Sequence, residues 1–363
     1  MSLDTPGLAS TSGRGSLFGR LLKLIIALTI AEAVVRYGMS RPMFGRRLEQ
    51  YGARGWLISQ MAQYDAGGGW LHHRFPLEPD AKLGWTNTPG HIMDRGNPMT
   101  LNSERLRGNR IYGYEKPPGI LRIAVFGDSF AFGMDVGDDD TFAAQLERTL
   151  DHTEVLNFGV LGYGMDQVLL RFRAEGVPFH PDIVVLNYVQ MLATRAEQDF
   201  TTWYKPRFVL NGEQLVLRGV PVPSPDEVHA SFWMRPRIVD LVLLPFEGFW
   251  HGDSGTAVPE RLLELFAKEV KAAGARPIFI TGPASHEYGQ TKLEDSYAEF
   301  CAKKQAECIN LMPQFAEAYN AGKAVAWTPP DSTALGHWST LGNQIVSDYL
   351  AEYIKAHPTT PLL

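Results

Sequence analysis

Short apolar runs alternate with segments of helical periodicity from about residue 120 to the end of the chain. The runs at 121–126, 154–158, 181–189, 276–281 and 308–311 have the length and β-branched content of buried strands. Between and after them, the segments 141–150, 165–175, 260–273, 292–306 and 339–356 have helical spacing, with Thr141 as a candidate N-cap. Strands that alternate with helices predict a three-layer α/β domain, whose parallel sheet is covered by helices on both faces.

The turn after the first predicted strand carries the candidate chemistry. It reads Gly127-Asp128-Ser129-Phe130 and leads towards the next helix. In open α/β sheets, sites form at the carboxyl ends of the strands, so Ser129 stands where a nucleophile would be held. A serine needs a base to attack an acyl carbon, usually a histidine. His337, just before the last predicted helix, is the candidate base.

Three blocks of sequence, 127–130, 157–164 and 336–342, occur in the order and with the residues of the SGNH/GDSL hydrolase family, which the chain resembles. Residues 83–108 and 205–223 also resemble its bacterial membrane-anchored members. The resemblance implies a flavodoxin-like α/β fold, with Ser129 as nucleophile and His337 as general base. It also implies that the amides of Ser129 and Gly162 bind the oxyanion, that Asp128 orders the turn, and that Asn157 supports the site.

Two positions depart from the family pattern. The Asn-Asp pair expected after the third strand is absent, and Gln190 is the candidate replacement, with an amide on a longer side chain. The aspartate expected two or three residues before His337 is also absent, and Asp331 reaches the histidine only if the loop bends back. An oxyanion donor is worth about 10²- to 10³-fold in rate, and the orienting aspartate about 10⁴-fold.

Three functions are consistent with these features. The first is a serine esterase or acyl-transfer enzyme that acts on an extracytoplasmic acyl ester through an acyl-Ser129 intermediate. The second is a catalytically inactive SGNH-fold subunit of an inner-membrane protein complex, favoured by the two departures. The third is an accessory protein that binds polysaccharide through its Trp and Tyr side chains.

The N-terminal region predicts membrane attachment. Residues 1–16 have the composition of a disordered segment, and residues 17–39 form an apolar stretch interrupted by Arg20, Lys23, Glu32 and Arg36. We interpret 17–39 as a single-pass anchor in a bacterial inner membrane, with the main domain in the periplasm. A cleaved signal peptide and an interfacial amphipathic helix are the alternatives, and the flanking charges do not decide the orientation.

Two further segments flank or interrupt the predicted α/β domain of 119–356. Residues 40–118 form an irregular or β-containing lead-in. An insertion at about 193–258 contains a predicted hairpin around Asn211-Gly212 and an aromatic segment, 232–250. That segment caps the core, covers the site, or contacts a membrane or a membrane-protein partner.

Composition excludes some classes of function. The net charge of −6 offers no basic field for nucleic acid. The adjacent His72 and His73 point to different sides of a strand or helix, so we do not expect them to bind a metal together. We expect no other cofactor. On one helix, the two cysteines, Cys301 and Cys308, would lie about 10 Å apart, too far for a disulfide. We therefore predict two buried, unlinked side chains, although a helix that ended between them would relax that limit.

Overall fold

The structure is a computed structural model that describes residues 12–48, 53–64, 76–232, 235–243, 257–284, 287–290, 295–304, 306–328 and 336–358. The chain divides into two compact units. The first contains Met1–Trp70 and Asp226–Gly252, and the second contains Leu71–Pro225 and Asp253–Leu363. Part of the predicted lead-in, from residue 71 onward, therefore belongs to the same unit as the α/β domain.

The strands of the described residues all lie in the second unit. They are β1 Leu77–Asp80, β2 Gly84–Asn87, β3 Gly90–Asp94, β4 Asn97–Leu101, β5 Leu121–Phe126, β6 Thr153–Asn157, β7 Ile183–Asn187, β8 Arg207–Asn211, β9 Gln214–Arg218, β10 Arg276–Thr281 and β11 Glu307–Asn310.

The α-helices are distributed over both units. They are α1 Ser12–Met39, α2 Pro42–Leu48, α3 Ala53–Gln63, α4 Ser129–Phe132, α5 Phe142–Thr149, α6 Met165–Arg171, α7 Gln190–Ala196, α8 Pro225–Phe232, α9 Arg237–Leu243, α10 Ala257–Ala272, α11 Asp295–Lys304, α12 Met312–Asn320 and α13 Thr340–Ala356.

The core of the second unit is a five-stranded parallel sheet in the order β11-β10-β7-β5-β6. Counted along the chain, this is the 2-1-3-4-5 order of flavodoxin-like folds, which place their site where the strand order reverses. The reversal falls at β5, the strand that precedes Ser129. Helix α5 packs against α13, and α6 packs against α10. The parallel α/β sheet predicted from the alternating pattern is confirmed.

Local signals in the sequence account for the ends of several elements. Ile123 to Phe126 in β5 are fully buried, as expected of a central strand covered on both faces. The Thr141 side chain caps α5 by accepting a hydrogen bond from the amide of Ala144, as predicted. The predicted hairpin forms between β8 and β9. Helix α6 ends four residues earlier than predicted, and π-helical and 3₁₀ turns follow it.

The two cysteines form a disulfide, so the prediction of two unlinked side chains is wrong. The Cα atoms of Cys301 and Cys308 are 5.9 Å apart. Helix α11 ends at Lys304, and the chain then turns back into β11. The expected separation of 10 Å assumed that both cysteines lie on one continuous helix. Because α11 ends between them, that assumption does not hold.

We expect reduction of this disulfide to lower the free energy of unfolding of the second unit by about 2 kcal/mol, because the bond closes a short loop. Urea titrations of the oxidised and reduced chain measure the difference. The double variant Cys301→Ser/Cys308→Ser is the control and should unfold like the reduced chain, with no response to reductant. Equal stability of the oxidised and reduced chain would contradict the prediction.

In the first unit, α1 contacts α9, and α2 packs on α3. Helix α1 begins at Ser12, inside the stretch predicted to be disordered, and residues 1–11 lie outside the described residues. Among the helices of the described ranges, none has the combined length and apolar character needed to cross a bilayer. Of the aromatic segment 232–250, Phe232 ends α8 and residues 237–243 form α9, while 233–234 and 244–250 lie outside the described residues.

Candidate active site

The turn at Ser129 joins β5 to α4. At Gly127, in this turn, there is no room for a side chain. This glycine has φ +153°, and a Cβ there would lie 2.8 Å from the Ala131 Cβ and 2.9 Å from the Asn187 carbonyl oxygen. The strand therefore enters the short helix directly, with Ser129 as the first helical residue. Ser129 is buried, at 7% exposed, directly after the carboxyl end of β5.

Asp128 stabilises this turn through both oxygens of its carboxylate. One carboxylate oxygen accepts a hydrogen bond from the Phe130 amide at 3.0 Å and so caps α4. The other accepts from Arg195 Nη1 at 2.8 Å, and the Asp128 side chain is fully buried. Both oxygens are thus occupied in holding the Ser129 turn, and Arg195 is a supporting residue that the sequence analysis did not identify.

His337 lies between a short backbone bridge and the N-terminus of α13. Its carbonyl oxygen accepts from the Trp327 amide at 2.9 Å, and the Gly336 amide donates to the Trp327 carbonyl oxygen at 2.7 Å. The adjacent Trp338 is buried and donates from Nε1 to the Pro283 carbonyl oxygen at 2.8 Å. The Phe130 ring lies 4.8 Å from the imidazole, centroid to centroid. These contacts fix the histidine backbone and its ring plane.

Ser129, His337 and Asp135 form a continuous hydrogen-bonded chain. The Ser129 Oγ to His337 Nε2 distance is 2.8 Å, and the His337 Nδ1 to Asp135 Oδ2 distance is 2.9 Å. An ionised carboxylate only accepts hydrogen bonds, so Nδ1 carries the ring proton in the neutral histidine. Nε2 is then free to accept the proton of the serine hydroxyl. This is the relation of nucleophile, base and orienting acid that acyl transfer requires.

The orienting acid comes from a position that the sequence analysis did not consider. We expected it before His337, at Asp331, but Asp331 lies outside the described residues. Asp135 instead follows the nucleophile by six positions. Helix α4 ends at Gly133 in the left-handed region (φ +79°), and Asp135 itself has φ +72°. These two residues turn the chain back, so that the carboxylate reaches the histidine from the nucleophile's own turn.

The environment of Asp135 favours its ionised form. Burial alone would raise the pKa, since the side chain is 4% exposed. The hydrogen bond and charge of His337, together with the charge of Arg95, outweigh burial and hold the pKa of Asp135 below its ordinary value. The acid that orients His337 is therefore charged at neutral pH.

Arg95 connects the acid to the histidine loop. Its guanidinium pairs with the second carboxylate oxygen of Asp135 and stacks 3.9 Å from the ring centroid of Trp327. Arg95 lies in the β3–β4 hairpin, and the neighbouring Asn97 donates to the Asp135 carbonyl oxygen at 2.9 Å. The hairpin thus holds Asp135 through both its side chain and its backbone.

For the ester hydrolysis expected from the sequence, we predict that Arg95→Leu lowers kcat about tenfold and leaves KM nearly unchanged. A hydrogen bond to a charged group is worth about 1.5–3 kcal/mol, and partial exposure of Arg95 reduces that value. Steady-state kinetics on the purified chain measure the change. Arg105→Leu is the matched control, because the Arg105–Glu78 pair is exposed and touches none of Ser129, His337 and Asp135. Equal losses in both variants would contradict a specific role for Arg95.

The two amides expected to bind an oxyanion are those of Ser129 and Gly162. Neither amide donates a hydrogen bond to an acceptor among the described residues. Gly162 has φ +79°, and a Cβ there would lie 2.3 Å from Thr202 Oγ1, so this turn requires glycine. Trp85 fixes the same turn by donating from Nε1 to the Leu161 carbonyl oxygen at 2.8 Å.

Gln190 and Asn157 are the remaining predicted site residues among those that the structure describes. Gln190 is the exposed first residue of α7, and its side chain forms no hydrogen bond with another described residue. Asn157 ends β6 and donates to the Ala131 carbonyl oxygen at 2.8 Å, while its own oxygen accepts from the Gly159 amide at 2.9 Å. Asn157 therefore ties the nucleophile helix to the glycine-rich loop and does not itself reach the reacting atoms.

Within the described ranges, no group of three or more His, Cys, Asp or Glu side chains is arranged to hold a metal ion. His72 and His73 lie outside those ranges.

No family model matches the chain, and no curated protein matches its sequence. Among solved structures, it is similar to the lipase/acylhydrolase from Enterococcus faecalis, with 16% identity over 66% of this chain and 100% of that one (TM-score 0.40). It is also similar to the acetyl xylan esterase AlAXEase, with 12% identity over 64% of this chain and 100% of that one (TM-score 0.40). A lipolytic protein of the G-D-S-L family from Veillonella parvula shares 12% identity over 65% of this chain and 99% of that one (TM-score 0.39).

Proposed function

We propose that this chain is an SGNH-type serine ester hydrolase that uses Ser129 as its nucleophile. The observation that carries the proposal is the hydrogen-bonded chain from Ser129 through His337 to Asp135. The absence of an aspartate just before His337 had favoured an inactive protein. Asp135 now supplies that function, which is why we favour catalysis over the alternative of a non-catalytic subunit.

The reaction proceeds by double displacement. His337 Nε2 takes the hydroxyl proton as Ser129 Oγ attacks the acyl carbon, and the amides of Ser129 and Gly162 stabilise the oxyanion. The tetrahedral intermediate collapses, the C–O bond to the alcohol breaks, and the histidine returns its proton to the leaving oxygen. Water then attacks the acyl-serine with His337 again as base, releasing the carboxylic acid and free Ser129.

We propose further that the chain works outside the cytoplasm, held at a bacterial inner membrane by α1. The disulfide between Cys301 and Cys308 supports an oxidising compartment, since such bonds are rare in the cytosol. Apolar side chains along α1 support contact with lipid. An acyl ester presented outside the cytoplasm, on a glycan or a lipid, is the corresponding class of substrate.

Covalent labelling tests the catalytic proposal. We expect an organophosphonate to label the full chain on Ser129, and a short-chain aryl ester to be hydrolysed with an initial burst. Ser129→Ala should abolish both signals. Ser103→Ala, which changes an exposed serine in the same unit, is the control and should retain both. A chain that neither labels nor turns over ester would instead favour the non-catalytic complex subunit.

A further inference from the structure

Helix α1 exposes apolar side chains on every side. The large apolar side chains between residues 17 and 34 are 47% to 72% exposed. Leu24, Ile25 and Ile26 are consecutive, and successive helical residues point about 100° apart, so no single stripe contains them. A surface helix of a globular protein buries an apolar stripe against its neighbours and exposes a polar face. Helix α1 lacks that polar face along most of its length.

Within the same unit, α9 is attached to α1 through Glu32, which is the one acidic residue of α1. Glu32 accepts hydrogen bonds from the amide of Arg237 at 2.7 Å and the amide of Ile238 at 3.0 Å, which begin α9. Glu32 also pairs with Arg36 at 2.7 Å. The charge of Glu32 is therefore compensated inside the unit, and the start of α9 is fixed beside α1.

Helix α9 adds its own exposed apolar side chains. Val239, Leu241 and Val242 are 51%, 37% and 60% exposed. The polar side chain between them, Asp240, faces inward to ion pairs with Arg54 and Arg237 at 2.6 and 2.7 Å. Helix α9 thus presents apolar groups outward while its charges are paired within the unit.

The charges that flank this surface match a lipid bilayer. Arg20 and Lys23 lie in the N-terminal half of α1, and Arg41 stacks on and hydrogen-bonds to the exposed Tyr37 at its C-terminal end. Trp56 of α3 is 43% exposed. Arginine, lysine, tyrosine and tryptophan are the side chains enriched at the headgroup level, where basic groups attract anionic lipid. A protein partner covers one side of a helix, whereas lipid covers all sides.

We infer that α9 enters the same anionic phospholipid bilayer as α1, so that α9 is a second membrane attachment held to the first by Glu32. This rests on the proposed membrane attachment through α1 and is independent of ester hydrolysis.

A fluorophore at position 242 tests the inference. The native cysteines are joined in the disulfide, so Val242→Cys provides a single free thiol for an environment-sensitive dye in the full chain. With vesicles of phosphatidylglycerol and phosphatidylcholine, we expect a blue shift, at least a twofold rise in emission, and quenching by a spin label on the acyl chains. Ile111→Cys, 68% exposed in the other unit, is the matched control and should show none of these changes.

A second variant tests the attachment of α9 to α1. Glu32→Ala in the Val242→Cys chain should leave flotation with vesicles intact but reduce the blue shift, because α9 loses its fixed position. The inference would be overturned if the Val242→Cys chain floated with vesicles but its emission spectrum did not change when vesicles were added. It would also be overturned if the chain did not float with vesicles. Hydrolysis of a soluble aryl ester by the same samples reports separately on Ser129, so the two proposals fail distinguishably.

Discussion

Asp135→Asn should lower kcat of ester hydrolysis by about four orders of magnitude, with the fold unchanged. The carboxylate of Asp135 accepts the proton-bearing Nδ1 of His337 at 2.9 Å and so selects the tautomer in which Nε2 is the base. An asparagine amide can present its NH₂ group to Nδ1, which favours the opposite tautomer. It also lacks the charge that stabilises the imidazolium formed during attack. Steady-state kinetics, with circular dichroism to check the fold, measure the effect.

Two matched variants decide whether the effect is specific. Asp139→Asn changes an aspartate four residues away whose side chain is 99% exposed, and it should retain activity. Asp331→Asn tests the position that the sequence pattern favoured, and it should also stay within a few-fold of the parent chain. If Asp331→Asn lost activity while Asp135→Asn kept it, the loop before the histidine would supply the acid and our assignment would be wrong.

Lys205→Met should destabilise the second unit by about 3–5 kcal/mol, because it leaves a buried carboxylate without its cation. Lys205 Nζ pairs with Asp166, and both side chains are fully buried. It also donates to the carbonyl oxygens of Arg195 and Gln198, each at 3.0 Å. The pair thus joins α6, which follows the Gly162 turn, to α7, which carries the arginine that holds Asp128.

The destabilisation should depend on pH. Burial raises the pKa of Asp166 to about 6 even with Lys205 beside it, and loss of the cation raises it further. A carboxyl group whose pKa is higher in the folded than in the unfolded chain favours folding at low pH, and this contribution is lost as pH rises through the folded-state value. Urea titrations of Lys205→Met should therefore show a smaller deficit at pH 5 than at pH 8.

Lys323→Met, at an exposed position, is the control and should change stability by less than about 0.5 kcal/mol. The double variant Lys205→Met/Asp166→Leu should recover part of the loss, since it removes both charges of the buried pair. A pH-independent deficit, or equal stability of the two lysine variants, would contradict the assigned role of the pair.

Much of the fold follows from local patterns in the chain. The five strands of the parallel sheet were predicted within two residues at each end, because buried strands need continuous apolar runs whatever their neighbours are. The Thr141 cap was predicted because a cap depends on the few residues around it. The disulfide was not, since it depends on where α11 ends, and the apolar spacing predicted a helix that continued past Lys304.

The pattern of apolar residues is sufficient to predict the parallel α/β sheet. Local motifs are sufficient to identify Ser129 after its strand and His337 before the last helix. The carboxylate that completes the set depends instead on contacts between distant parts of the chain. Asp135 and His337 are 202 positions apart, and their meeting depends on the left-handed backbone at residues 133 and 135. Several aspartates follow Ser129 closely in the chain, and sequence spacing cannot rank them, because a hydrogen bond depends on where the backbone returns in space.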